Sequence, residues 1–330
     1  MSTNAKPVVL NLADVRPEKV RWLWGERVPL GKVTIFAGDP GLGKSFVGLW
    51  LVAEVTRQGF DAIILSAEDD PADTLRPRLD ALGADVSRVH ILKAVQMTDE
   101  HGEQKERMLR LDRDIEQIAE TIKQRPQTVL VVIDPLSAYM GGIDSRSDEQ
   151  VRSILAPLAE LASKTAVAIV CIKHLNKAEE KSAIYRAGGS IGFIAAARVA
   201  WLFVKDRSDP DRRLMLLAKS NVGPDPGRRA YRIVETERGV RVEWESGTVQ
   251  IALEDALRPA FYDRKSVLAA AINWLREMLS SGSKQATEVT QAAKDAGYTW
   301  ATVRRAADAL HIVKTREGFG PDGEWIWSLP

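Results

Sequence analysis

Eight consecutive residues in the first fifth of the chain have the composition and spacing of a phosphate-binding loop. The pattern G-x-x-x-x-G-K-[ST] is matched by Gly38, Asp39, Pro40, Gly41, Leu42, Gly43, Lys44 and Ser45. Glycines let the backbone curl so that successive N–H groups point at phosphate oxygens. The lysine of such a loop reaches the β- and γ-phosphates, and the serine hydroxyl ligates Mg²⁺. The sequence therefore predicts that this segment and the adjoining Phe46 bind ATP, with Lys44 also serving its hydrolysis.

Carboxylates at two further positions complete this chemistry. Asp134 follows the aliphatic run VLVVI, where a P-loop protein holds the carboxylate that orders Mg²⁺. Because Pro135 and not a glutamate comes next, the group that positions the attacking water must lie elsewhere. The strand predicted at Ala62–Ser66, which we expect beside the strand leading into the P-loop, is followed by an acidic turn. Glu68 is our first candidate and Asp69 the second, unless the turn is only a solvated acidic segment.

Short aliphatic strands alternate with helices over residues 1–255. Strands are predicted at Val33–Ala37, Ala62–Ser66, Val89–Lys93, Val129–Ile133, Ala166–Ile172, Val199–Val204, Leu214–Ala218, Tyr231–Val234 and Val240–Glu245. Helices are predicted at Phe46–Arg57, Pro71–Leu82, Asp114–Gln124 and Asp148–Lys164 (interrupted by Pro157), and Ser190–Arg198 is predicted as a helix or a turn. This alternation is typical of an α/β fold with a mainly parallel central sheet that is covered on both faces. The last four strands form hairpins and predict an antiparallel edge.

The pattern changes for residues 256–330. Helices are predicted at Lys265–Ser280, Thr287–Ala296 and Thr299–Leu310, and strands at His311–Thr315 and Glu324–Ser328. Helix, turn, helix and hairpin is the order of a winged helix. The sequence thus predicts a small C-terminal α+β winged-helix domain.

Composition limits the possible partners. The net charge is +1, so no global basic field indicates nucleic acid, and any DNA contact must come from local patches. The single cysteine, Cys171, excludes a disulfide framework and a cysteine-based zinc site, and favours a reducing, cytoplasmic location. We expect no membrane partner, because no apolar run reaches the ~18–20 residues that span a bilayer.

Five stretches of the chain resemble the RecA-like ATPases, and among them the family of the plasmid replicative hexameric helicase RepA. They are GDPGLGKS, SAEDDPADTLRPRLDALGAD, VLVVIDPLSAY, IVCIKHLNK and RAGGSIGFIAAARVAWLF. The chain is more distantly similar to DnaB-type helicases and RecA. The resemblance, of the AAA_25 type, implies a RecA-like P-loop core over the first domain.

This resemblance also implies roles for single residues. Glu68 falls on the hydrolytic glutamate. His174 falls on a γ-phosphate sensor, with local hydrogen bonding at its strand end as the alternative. Arg198 falls on an arginine finger that reaches the neighbouring subunit's nucleotide, with a helix-surface arginine as the alternative. Lys219 resembles the lysine of a K-x-R pair whose arginine is replaced by Asn221. A finger supplied in trans implies a homo-oligomer, which the family predicts to be a hexamer.

Contacts with DNA are predicted at two kinds of surface. In the family, the loops at Gly141–Gln150 and Leu175–Ser190 face a central pore. The second loop carries side chains of both charges: Lys177, Lys181, Arg186, Glu179 and Glu180. Two interpretations of this loop stay open, a DNA-binding loop and a solvated loop.

The recognition helix of the winged helix offers Thr299, Thr302, Arg304 and Arg305. It may dock in a major groove or serve protein contacts. Three tryptophans, Trp300, Trp325 and Trp327, are predicted to be core residues in preference to base-stacking platforms.

The sequence therefore predicts an ATP- and Mg²⁺-dependent motor that moves on single-stranded DNA. Two alternatives stay open: an ATP-switched DNA-binding regulator or recruitment protein, and a RecA-like recombination or repair ATPase without helicase activity.

Overall fold

The computed structural model describes residues 9–98, 102–144, 147–175, 188–237, 239–251, 264–317 and 324–330. The chain divides into two compact units, Met1–Leu257 and Arg258–Pro330. Each unit has hydrophobic clusters of its own. The predicted domain boundary near residue 255 lies outside the described residues.

The first unit contains thirteen strands and five α-helices within its described residues. The strands are β1 (Trp22–Trp24), β2 (Val28–Pro29), β3 (Val33–Gly38), β4 (Asp61–Ser66), β5 (Val89–Ile91), β6 (Val95–Thr98), β7 (Gln104–Arg107), β8 (Thr128–Asp134), β9 (Ala168–His174), β10 (Val199–Lys205), β11 (Arg212–Ser220), β12 (Arg229–Thr236) and β13 (Gly239–Trp244). The helices are α1 (Lys44–Arg57), α2 (Arg76–Ala81), α3 (Ile115–Lys123), α4 (Asp148–Thr165) and α5 (Gly188–Ala196).

The central sheet of this unit contains nine strands among the described residues, in the order β13-β12-β11-β10-β3-β9-β8-β4-β5. The strands from β10 to β5 are parallel, and β11, β12 and β13 extend the sheet as an antiparallel edge. The predicted α/β fold with a mainly parallel sheet and an antiparallel edge is therefore confirmed.

One expectation about this sheet is wrong. The strand after the first helix, β4, is not beside the P-loop strand β3, because β9 and β8 lie between them. Aliphatic composition indicates that a strand is central and parallel, but it does not fix the order of the strands. Consecutive strands are neighbours only about two-thirds of the time.

Helices cover both faces of the sheet. Val33 and Ile35 of β3 belong to a cluster that includes buried residues of α3 and α4. Phe36, which follows Ile35 in the strand, belongs to the cluster that includes α1 on the opposite face. Successive side chains of a strand point to opposite faces, so a strand buried on both sides must be apolar throughout.

Three helix predictions need correction. The helix predicted at Pro71–Leu82 is a π-helical turn over Pro71–Leu75 followed by α2. α1 begins at Lys44 and not at Phe46, so the lysine and the serine of the P-loop lie in its first turn. α4 runs without a break from Asp148 to Thr165 although Pro157 lies inside it. Proline removes one N–H donor, and the rest of the helix is held by its buried apolar face.

The second unit contains the helices α6 (Arg264–Ser280), α7 (Ala286–Asp295) and α8 (Trp300–Ala309) and the strands β14 (Lys284–Gln285), β15 (Val313–Glu317) and β16 (Glu324–Ser328). The strands form a sheet in the order β14-β16-β15. The helices pack around a small core that includes Leu275, Val303 and Trp327.

Surface residues of this unit differ from the prediction in three places. Trp327 is 4 % exposed, as predicted for a core residue, but Trp300 is 38 % and Trp325 53 % exposed. Thr302, predicted on the docking face of the recognition helix, is buried at 8 % exposure. Thr302 and Trp327 take up the interior of a core too small to cover the two other indole rings.

Cys171 is fully buried in β9. None of the helices in the described residues is long and apolar enough to cross a membrane.

Candidate active site

The carboxyl ends of the parallel strands bring the predicted catalytic residues to one edge of the sheet. In register, Gly38 of β3 is opposite His174 of β9, and Ser66 of β4 is opposite Asp134 of β8. The amide of Ala67 donates to the Asp134 carbonyl at 3.0 Å and starts the acidic turn beside that aspartate. Glu68 therefore lies near Asp134 because β4 pairs with β8, although β4 is not adjacent to β3.

The P-loop backbone takes the conformation that only glycine accepts readily. Gly41 and Gly43 have φ angles of 77° and 79°, and Gly43 is the residue before α1. A Cβ atom on Gly38 would lie 2.6 Å from the Phe203 carbonyl oxygen. The loop is thus curled by its glycines and opens onto the N-terminus of α1, whose free N–H groups and dipole favour phosphate.

Lys44 occupies the centre of the loop. Its side chain is buried, with 3 % of the residue exposed, and its ammonium group donates to the Asp39 carbonyl at 2.8 Å. Burial lowers the pKa of Lys44 to about 8, against the opposing effect of the carboxylates Asp134, Asp39 and Glu68. A lysine held by a neutral carbonyl in a desolvated loop gains from an anionic ligand.

Asp134 and Ser45 form the candidate metal ligands. The Ser45 hydroxyl lies close enough to the Asp134 carboxylate to lower its pKa, so the two side chains are neighbours. Burial raises the pKa of Asp134 to about 6, and the nearby carboxylates of Asp69 and Glu68 raise it further against Lys44. Crowded carboxylates of this kind are relieved by a divalent cation.

The acidic turn distinguishes Glu68 from Asp69. Asp69 accepts from the Arg78 guanidinium at 2.8 Å, and this guanidinium also lies over the Phe46 ring at 4.6 Å from its centroid. Glu68 is exposed, and no ion pair engages it in the part of the chain that the structure describes. Its charge acts on both Lys44 and His174. Because Asp69 is already paired, Glu68 is the carboxylate better able to accept a hydrogen bond from water.

His174 lies between the P-loop and the acidic turn. Its pKa is lowered by burial first and by Lys44 second, while Glu68 opposes the shift. Its Nδ1 atom is buried and has no hydrogen-bond partner among the described residues. A neutral imidazole with an unused buried nitrogen is suited to contact a phosphate oxygen or a water next to it.

These residues fit Mg²⁺ and ATP. The loop supplies inward-facing amides, Lys44 supplies a desolvated cation, and Ser45 with Asp134 supplies oxygen ligands of the kind that Mg²⁺ prefers. No cluster of three or more His, Cys, Asp and Glu side chains in the described ranges offers a complete metal cage. Mg²⁺ sites that share the ion with phosphates have this incomplete character.

Arg198 and Lys219 lie at the other end of the sheet. Arg198 precedes β10, whose Val199 pairs with Thr34, while Phe203 pairs with the P-loop residue Gly38. The intervening residues separate Arg198 from the loop by about 16 Å at ~3.3 Å per residue. Lys219 pairs with Ala200 and lies at the same end. Neither cation reaches the phosphate site of its own chain.

Comparison with known proteins identifies this architecture. A family model described as an AAA domain, AAA_25, matches residues 2–180. The chain belongs to this AAA domain family. With the sheet described above, its first unit is a RecA-like P-loop ATPase core.

The chain is similar to DNA repair protein RadA of Bacillus subtilis (strain 168), with 26 % identity over 46 % of this chain and 30 % of that protein. It is similar to DNA repair protein RadA of Mycobacterium tuberculosis (strain CDC 1551 / Oshkosh), with 28 % identity over 48 % of this chain and 29 % of that protein. The matched part thus spans less than a third of these relatives. Among solved structures, the ATPase domain of G40P aligns with a TM-score of 0.48 and 13 % identity, over 64 % of this chain and 84 % of that one.

Two contacts to the P-loop of this RecA-like core were not predicted. The Tyr231 hydroxyl of β12 donates to the Leu42 carbonyl. A Cβ atom on Gly43 would lie 2.3 Å from Cδ1 of Ile233. The antiparallel edge of the sheet thus packs against the P-loop. The local sequence predicts strand β12 itself, but no local pattern indicates which loop that strand contacts.

The predicted DNA-contacting loops are described only in part. Lys177, Glu179, Glu180, Lys181 and Arg186 lie outside the described residues. Residues 145 and 146 of the other loop lie outside them as well.

Proposed function

We propose that the protein is an ATP-driven DNA motor, a hexameric helicase of the RepA-like kind that hydrolyses ATP between subunits and moves on single-stranded DNA. The observation that carries this proposal is the distance between Arg198 and the P-loop, which lie at opposite ends of the paired strands β10 and β3. A finger in this position serves the nucleotide of a second subunit and not its own. Repeating such a head-to-tail contact generates a ring or a filament.

The site residues have distinct roles in this proposal. Lys44 and the loop amides hold the β- and γ-phosphates, and Ser45 and Asp134 hold Mg²⁺ and its water shell. When bound, the metal neutralises charge on the phosphate oxygens. Glu68 orients the attacking water, and Arg198 and Lys219 of the neighbouring subunit stabilise the charge that develops on the transferred phosphoryl group.

Coupling to DNA is assigned to His174. It is the last residue of β9, and the loop that continues from it is the one expected to line the pore. A change at the γ-phosphate would alter the hydrogen bond of His174 and so shift the start of this loop.

The motor is tested by two activities of the purified chain. We expect single-stranded DNA to stimulate ATP hydrolysis, and we expect ATP-dependent separation of a forked duplex. The Lys44→Ala variant is the control for both measurements. Absence of stimulation and of strand separation in the wild-type chain would rule the motor out.

The names of the curated relatives favour a second candidate, a DNA repair ATPase. In this candidate we propose that the ATPase acts by strand pairing. It predicts open filaments on DNA in electron micrographs, where the motor predicts closed rings.

The second unit motivates a third candidate, an ATP-switched recruitment protein. Its order of helix, short strand, two helices and hairpin supports a winged helix with Arg304 and Arg305 exposed on α8. Deleting residues after Leu257 separates the readings, since a motor keeps ATPase activity and single-strand affinity, whereas a recruiter loses its targeting.

A further inference from the structure

A cationic cavity lies at the amino end of the central strands. Its volume is about 580 Å³, and it is lined by residues at the start of β3, along α4, around the end of α5 and at the end of β11. The charged residues of its lining are Lys32, Arg152, Glu160, Arg198 and Lys219. Four cations therefore face one carboxylate across this cavity.

The single carboxylate does not balance the cations. Glu160 is ion-paired with Lys164 at 2.6 Å, and Lys164 is not part of the lining. Neither Arg152 nor Arg198 has an ion pair in the part of the chain that the structure describes. Like charges gathered in one concave site repel one another unless an anion is bound there.

Arg152 is close enough to the other two cations to act with them. Desolvation lowers the pKa of Lys219, and the charges of Arg198 and Arg152 lower it further. The Lys219 ammonium donates to the Ala195 carbonyl and is thereby fixed in direction. Three elements, α4, the turn before β10 and β11, thus bring their cations to one place.

Asn221 explains why a third cation is needed. It occupies the position at which K-x-R pairs carry their arginine, and it also lines the cavity. Its backbone N–H donates to the Arg198 carbonyl at 3.0 Å. Asn221 can therefore hold the turn of Arg198, but its neutral side chain cannot balance a phosphate.

We propose that Arg152 supplies the charge that Asn221 lacks, and that Arg152, Arg198 and Lys219 together receive the triphosphate bound to the P-loop of the adjacent subunit. This proposal rests on the proposed function, because it requires hydrolysis at a subunit interface. It adds a residue from α4, far in sequence from the other two.

The first test is the steady-state kinetics of the Arg152→Ala variant. We expect kcat for ATP to fall by about 100-fold, the lower end for loss of one transition-state donor, while nucleotide affinity at the variant's own P-loop changes less than about twofold. Arg152→Lys should recover part of the rate because it keeps the charge. The matched control is Lys123→Ala, which removes a cation from the exposed surface of α3 and should leave kcat unchanged.

The second test asks whether Arg152 acts across the interface. Arg152→Ala and Lys44→Ala subunits are co-expressed with different tags, and assemblies that contain both are isolated. An intact site forms where the P-loop of an Arg152→Ala subunit lies beside the cations of a Lys44→Ala subunit. Equal and random mixing gives this arrangement at about a quarter of the interfaces. We expect activity well above the sum of the activities of the two parent assemblies.

Mixing Arg198→Ala with Lys44→Ala subunits in the same way tests hydrolysis between subunits separately from the role of Arg152. If Arg198→Ala is complemented and Arg152→Ala is not, hydrolysis between subunits stands and the role of Arg152 is overturned. If neither is complemented, hydrolysis between subunits itself fails. An unchanged kcat in Arg152→Ala, or loss of assembly in both Arg152 variants, also overturns the proposal.

Discussion

The two ends of the central sheet differ in how their charges are balanced. At the carboxyl end, Lys44 at the start of α1 and the acidic residues Asp134 and Glu68 act on one another within a single chain. At the amino end, Arg152 and Arg198 gather with Lys219 around a cavity, and within the described residues neither arginine has an acidic partner. This difference favours nucleotide binding by the carboxyl end within one chain and, in our proposal, binding of an anion from another molecule at the amino end.

The largest expected effect is at the carboxyl end. Lys44→Ala removes the cation that contacts the β- and γ-phosphates, and we expect hydrolysis to fall by more than ~10³-fold. The measurement is phosphate release at saturating Mg²⁺ and ATP. Because Lys44 is buried, thermal unfolding of the variant is the control for its fold. Turnover retained in a folded variant would mean that phosphate is bound elsewhere.

Next in size is the loss of the predicted finger at the amino end. Arg198→Ala should reduce kcat by about 10³-fold, the lower range for an arginine finger. Binding of a fluorescent ATP analogue to its own P-loop should persist, because the side chain lies at the far end of β10. Equal loss of binding and turnover would place Arg198 in its own chain's site and remove the distinction between the two ends.

A smaller effect is expected from the acidic turn. Glu68→Gln should lower kcat about 10²–10³-fold and leave ATP bound and unhydrolysed in an intact assembly. Asp69→Asn is the matched control, since Asp69 already pairs with Arg78 and its loss should cost much less. A normal rate in Glu68→Gln with a slow Asp69→Asn would transfer the role to Asp69.

The smallest effect is that of pH on the nucleotide-free site. Asp134 has a pKa raised to about 6, so it is protonated and loses its metal-binding charge below that pH. Lys44 has a pKa lowered to about 8, so it loses its proton and its charge above that pH. We therefore expect kcat/KM to be bell-shaped, with about tenfold loss per pH unit beyond each limb.

His174→Gln tests the assignment of the acid limb. The limb near pH 6 should stay in this variant if Asp134 is responsible for it, and it should disappear if the imidazole is. A profile that is flat from pH 5.5 to 9 would show that neither buried charge controls nucleotide capture.

Local sequence predicted the carboxyl end well. The glycine spacing, the aliphatic strands and their terminal acids are local signals, and parallel strands bring their carboxyl ends to one edge whatever their order. For this reason Glu68 lies beside Asp134 although the expected neighbour of its strand was wrong. The roles assigned to these residues remain predictions.

The contacts that sequence missed are between distant segments. Arg78 pairs with Asp69 across the start of α2, and Tyr231 bonds to the P-loop from β12. Arg152 and Arg198, from separate elements, line one cavity. No periodicity or motif encodes such pairs, because each depends on how separate elements pack. In the second unit, burial of Thr302 and exposure of Trp300 depend in the same way on which face of α8 meets the core.

The most direct test of the account is an electron cryomicroscopy structure of the chain with a non-hydrolysable ATP analogue, Mg²⁺ and single-stranded DNA. We predict that the γ-phosphate held by Lys44 and Ser45 of one subunit contacts the Arg198 guanidinium of the next, with Glu68 on the side from which water attacks. Density in which Arg198 faces solvent, or Glu68 points away from the terminal phosphate, at every subunit contact would contradict it.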